Sequence, residues 1–260
     1  MGRNSVKPWI RLNRMTCIQS MHGPVGLGAG DINTSRSVMT EQIDSMEGEE
    51  AGRNDPSVTR LMSMPLFPLR TVLFPGGTLP LRIFEPRYVD MVRWCMRESQ
   101  GFGVVLLREG SDVLDAKNRD GHEKAPDIFD VGTQAQIIDF DQADNGLLGI
   151  VARGGEKFSV LRTTVEADGL VRADVRSLHE PAKPLADSHE TLVQVLKDLL
   201  SHPLIQELDP EVDLSEDRSV SHRLADLLPV APELKQWLLE MSNPSERLSE
   251  LQEIVKQLSS

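Results

Sequence analysis

Aromatic residues are scarce: they make up 4% of the 260 residues, with a single tyrosine. Leu, Val and Ile must therefore fill most of any core, and the length is enough for a sizeable one. Cysteine is nearly absent too. Cys17 and Cys95 are the only two, with no CxxC and no metal-ligand spacing. Two distant cysteines exclude a disulfide framework and fit a reduced, cytoplasmic setting. No stretch approaches the roughly 18 apolar residues of a membrane span, so no membrane is expected as a partner. Nor is there a Gly-Lys dipeptide, which excludes a GxxxxGK[ST] phosphate loop, or a GxSxG nucleophile elbow. His179-Glu180 and His189-Glu190 lack the second histidine of HExxH. The six histidines read as solvated or capping groups, His202 at a helix end and His222 at a helix start. No cofactor, metal or catalytic residue is expected.

What the chain has in excess is negative charge. Its net charge is -12, and residues 1–60 hold seven basic and seven acidic side chains, so the remainder carries all of it. Such a surface repels phosphate backbones, and nucleic acid is not an expected partner. Residues 1–60 read as an extension: a disordered tail, an over-called start or a targeting segment, ending in the polar linker "TEQIDSMEGEEAGRNDPS".

From Leu61 the pattern becomes that of a folded unit. "FPLRTVLFPGGTLPLRIFEPRY" (67–88) is the most apolar region, yet it carries four prolines and a Gly-Gly pair. Proline belongs at strand ends and edges. The segment therefore reads as short extended pieces around a turn at Pro75-Gly76-Gly77. Tyr88, Met91, Val92, Cys95 and Met96 then recur at helical spacing, and they predict a helix over 85–99 with Gly101 just past its end. A buried strand is expected over 101–109 and a polar loop over 110–127. Four strands follow at 131–142, 146–154, 156–167 and 170–180. The turn signals between them lie at 143–146, Gly154-Gly155 and Asp168-Gly169. This spacing predicts an antiparallel sheet closing into a barrel. Helices are predicted over 187–203, with Asp187 or Ser188 as its cap, and over 219–230, 231–242 and 243–260, the last opening on Asn243 or Ser245 together with Pro244. The layout is a β-rich lobe, 61–183, followed by a helical lobe, 184–260.

These residues carry a family resemblance. "MPLFPLRTVLFPGGTLPLRIFEPRY" resembles the opening of the N-terminal substrate-binding domain of Lon proteases. "VGTQAQIIDF" is similar to that family's next strand and "RGGEKFSVLR" to the hairpin after it. "LLPVAPELKQWLLEMSNPSERLSELQEIVKQL" resembles its helical end. The resemblance spans about residues 62 to 258. It implies an α+β fold, a PUA-like β pseudo-barrel followed by a C-terminal helical bundle. It also implies a module that engages unfolded or extended polypeptides, in protein quality control. PUA-like barrels can bind RNA, but the -12 charge and the absence of a basic stripe argue against that here. The ATPase and Ser-Lys peptidase of full-length Lon would follow Ser260, so the chain resembles stand-alone bacterial Lon-domain proteins and is not expected to be an enzyme. An alternative is an accessory factor docking on a separate protease or ATPase. The candidate polypeptide-binding residues are Phe67, Leu69, Phe74, Leu79, Phe84, Glu85, Arg87 and Tyr88. Neither the oligomeric state nor the partner is readable from the residues.

Overall fold

The computed structural model describes residues 61–108, 125–142, 148–206 and 212–259. The expected extension, most of the 110–127 loop and the 143–147 turn lie outside them. Six strands come first: β1 (Leu61–Leu69), β2 (Thr78–Ile83), β3 (Phe102–Leu107), β4 (Ile128–Gln142), β5 (Leu148–Val165) and β6 (Val171–Leu178). Helix α1 (Pro86–Glu98) sits between β2 and β3. The helical end comprises α2 (Glu190–Leu200), the short α3 (Pro203–Gln206), α4 (Asp217–Leu227), α5 (Pro232–Glu240) and α6 (Pro244–Leu258).

The strands form one sheet in the order β2-β5-β4-β3-β1-β6, and β6 returns to pair with β5. Five strands thus close on themselves, and β2 is an annex on the first half of β5. The expected antiparallel sheet is met except at one seam: β1 and β3 run parallel, with Leu66 opposite Gly103 and Leu69 opposite Leu106. Helix α1 is the crossover between them and buries Tyr88, Met91, Val92 and Cys95 inside the barrel.

Gly154-Gly155 does not turn. β5 runs straight through it, so the two strands expected over 146–167 are one. The reason lies on another element. A β-carbon at Gly154 would stand 2.1 Å from the Phe74 carbonyl oxygen, so only glycine lets the two backbones meet. The true turn is at Phe74-Pro75-Gly76-Gly77. Gly77 N–H donates to Phe74 C=O (2.9 Å), and Gly76 has φ +75°. Proline at the second position and glycine at the third make a type II turn.

That turn joins the lobes. Phe74 is 0% exposed and packs with Leu192, Leu224, Leu238 and Leu248 in the helical core. Arg223 of α4 donates to the Gly76 carbonyl (2.7 Å) and pairs with Asp226 (2.9 Å). The helices otherwise follow the sequence pattern. Asn243 caps α6 by accepting from Ser245 N–H (3.1 Å). Residues Asp187–His189 form a 3-10 turn instead of the first turn of α2, and neither Asp187 nor Ser188 caps it through a side chain.

Candidate functional site

β2 turns only one edge to β5. Bonded pairs alternate along an antiparallel ladder. Gly154 N–H donates to Gly77 C=O (2.8 Å), which puts the backbones of Leu79, Leu81 and Ile83 toward β5 and that of Pro80 away from it. The missing N–H of Pro80 therefore costs no ladder bond, and the proline blunts the outer edge. Between this edge and the end of β1 lies a groove of about 190 Å³. Phe67, Pro68 and Leu69 form one wall, Leu81 and Ile83 the other, and Phe84, Glu85 and Tyr88 the end where α1 begins.

The floor is rigid. Phe67 and Tyr88 stack with ring centroids 4.2 Å apart at 20°, and Phe102 lies behind Phe67 at 6.1 Å. Burial pushes the Tyr88 phenol up to about 12, so it stays protonated. Arg87 holds the rim. Its guanidinium donates to Glu85 Oε2 (2.7 and 3.0 Å) and to the Gly169 carbonyl (2.9 Å), and it covers the Tyr88 ring at 4.9 Å. Phe84, by contrast, is 73% exposed at the groove mouth.

Five of the eight sequence candidates thus meet at one place: Phe67, Leu69, Phe84, Glu85 and Tyr88. Arg87 braces their rim from outside the lining. Leu79 packs against the barrel core and lies away from the groove. Phe74 is a correction: its ring is sealed in the helical core, because the type II turn points it away from the barrel.

A second groove of about 200 Å³ was not expected. It runs along the other flank of α1, lined by Val89, Met96, Phe140 and Leu148 with Arg93 and Gln142. Helical spacing put Met96 on the buried face, but it is exposed here. The other wall comes from a bulge. The β4–β5 register slips between Ile137 and Asp139, which places Phe140 opposite the buried Ile150. Residues directly opposite share a face, so Phe140 turns toward α1, where it remains 54% exposed.

Sequence reasoning also missed the polar joint between the lobes. Lys157 of β5 donates to Glu180, to Leu239 C=O (2.8 Å) and to Met241 C=O (2.9 Å). Arg247 of α6 is 0% exposed. It donates to Glu180, Leu238 C=O (2.8 Å) and Ser221 Oγ (3.1 Å). His222 of α4 is buried, not solvated: its Nε2 lies 3.0 Å from Glu180 Oε2, at an angle that makes no hydrogen bond. Burial alone would raise the Glu180 carboxyl, but contact with His222 and Arg247 outweighs it and holds the group down to about 2. Burial also depresses His222, to about 4, and pulls the Lys157 ammonium below its ordinary value. The only local hint was the adjacency of β6's end to an ionisable pair, His179-Glu180.

No group of three His, Cys, Asp or Glu among the described residues is placed to hold a metal ion, and no described helix is long and apolar enough to cross a membrane. The family described as "ATP-dependent protease La (LON) substrate-binding domain" matches residues 63–257. The chain belongs to that family. Among solved structures, a Lon N-terminal domain protein from Xanthomonas campestris is 34% identical, with a TM-score of 0.59 over 73% of this chain and 96% of that one. The N-terminal domain of Mycobacterium avium complex Lon protease shares the fold at 17% identity and a TM-score of 0.50. The Lon protease of Anaeromyxobacter dehalogenans is 28% identical over 187 residues, which are 68% of this chain and 21% of that protein. Protein cereblon of Xenopus tropicalis is 30% identical over 155 residues, 58% of this chain and 31% of that protein. The chain therefore spans about a fifth to a third of the length of these curated relatives.

Proposed function

We propose that the chain is a non-catalytic polypeptide-binding module of protein quality control. It takes unfolded or extended segments of client proteins at the groove between β1 and β2. The observation that carries this reading is the exposed Phe84 beside a floor of stacked, buried rings. An exposed aromatic on a rigid apolar groove is the kind of surface that unfolded chains cover. The groove's walls are fixed by the barrel, so binding needs little reorganisation. The family supplies the substrate class, and the reduced Cys95 is consistent with a cytoplasmic setting.

The test is anisotropy of a labelled, permanently unfolded polypeptide titrated with the full chain, with the folded form of the same polypeptide as control. Selective binding to the unfolded form is expected. Phe84→Ser should weaken it about tenfold, in line with losing one aromatic anchor, while the thermal midpoint stays within a degree or two. Equal binding by the variant would remove the groove from the reading. A second reading, docking on a separate protease or ATPase, is favoured by one observation: Trp237 of α5 is 44% exposed on the helical lobe. Binding of neither polypeptide form would move the search to that face.

A further inference from the structure

The joint between the lobes holds an unbalanced set of charges. Lys157 directs its contacts to three acceptors, Glu180 and the carbonyls of Leu239 and Met241, which is the pattern of an ammonium. Arg247 is a permanent cation. Glu180 is the one carboxylate they share. Charged groups face His222 from several elements. The segment after β6 offers Glu180, β5 offers Lys157 and α6 offers Arg247. On its own helix, Arg218 donates to the Glu180 backbone carbonyl (2.8 Å), and Arg223 is engaged with Asp226. Asp217 is occupied by Lys183 N–H, Arg218 N–H and the Ser245 hydroxyl. From α5, Glu240 acts on Lys157 and accepts from Gln236. The β1–β2 turn presents only the Phe74 ring, 6.2 Å away. A proton on His222 would thus add a third buried cation to a single carboxylate.

We propose that this joint is an acid-sensitive latch: protonation of His222 undocks the helical lobe from the barrel before the barrel itself opens. The cluster is placed for it, since its members come from β5, the segment between the lobes, α4 and α6, and the last two are the helices that would move. The imidazole Nε2 makes no hydrogen bond as the joint stands, and the neutral ring adds no charge to it. Charged and buried, it would have only Glu180 Oε2 (3.0 Å), an oxygen that already accepts from Arg247 (3.2 Å), and no anion of its own. The imidazole titrates at about 4 in place against 6.5 in water. Linkage then predicts about a 30-fold rise in the opening equilibrium between pH 7.5 and pH 5.0.

Hydrogen exchange of the full chain, corrected for the intrinsic pH dependence of amide exchange, tests this. At pH 5.0 relative to 7.5, amides of α4 and α6 should lose protection about 30-fold, while those of β3 and β4 change less than threefold. In His222→Gln, which keeps a neutral polar group, the difference between the lobes should vanish. Retained helical protection at pH 5.0, equal loss in both lobes, or a pH effect that survives in His222→Gln would each overturn the latch. If that variant does not fold, NMR titration of the His222 imidazole in the unaltered chain decides. A value below about 5 supports the latch, and one near or above 6 overturns it.

Discussion

At the scale of single residues, the joint shows how little an ionisable side chain's sequence context says about its burial. Glu180 follows a strand end and precedes a proline, and nothing in "SLHEPAK" separates it from a surface glutamate. It is buried because Lys157 and Arg247, 23 and 67 positions away along the chain, converge on it. Helix α4 is a similar case. Its sequence is polar, yet Asp217, Ser221, His222 and Arg223 are all buried. A buried carboxylate between two cations is costly to remove, since each cation then stands unpaired. Glu180→Gln should destabilise the fold by about 3–5 kcal/mol in urea unfolding. Phe84 lies at the other extreme: its exposure was equally unreadable, because neighbours of the same type are buried on both sides of the turn.

At the scale of elements, the helices were legible and the long strand was not. The apolar stripe of α6 and its Asn243-Pro244 start are local signals, and the structure keeps them. Gly154-Gly155 is a turn signal by every local criterion, but it lies within an extended strand because the Phe74 backbone presses on it. The groove was half legible for the same reason. Its aromatic floor, Phe67 and Tyr88, belongs to one continuous segment, whereas the second groove depends on a β4 bulge that has no sequence signature. Gly154→Ala tests the contact directly. The added methyl meets a backbone atom that cannot swing aside, so a loss of about 1–3 kcal/mol is expected from thermal or chemical unfolding. Gly76→Ala should lose less, since its surroundings are open and only the positive φ opposes the change.

At the scale of the whole molecule, Phe74 and the ionic joint belong to both lobes, so at neutral pH the two are expected to unfold as one cooperative unit. The pH dependence follows from signs. His222 is neutral when folded and titrates well below its ordinary value, so its contribution is full above about pH 6.5 and declines as pH falls toward 4. The Glu180 contribution persists through that window and is lost only as pH falls from about 4.5 toward 2. Urea unfolding should therefore show stability falling by about 2 kcal/mol between pH 7.5 and 5.0, then falling again below 4.5. A flat profile across the first window would mean that His222 is not the titrating group.

The turn that carries Phe74 into the helical core also sets a schedule for synthesis. Its first helical neighbour, Leu192, is made about 120 residues later, which at ribosomal speeds of 5–20 residues per second is roughly 6–24 s. Throughout that interval the barrel strands can pair while the Phe74 ring lacks its helical neighbours and has only strand residues such as Leu106 beside it. The nascent chain thus passes through a stage in which it is itself the sort of sticky, half-made polypeptide that quality-control proteins attend to.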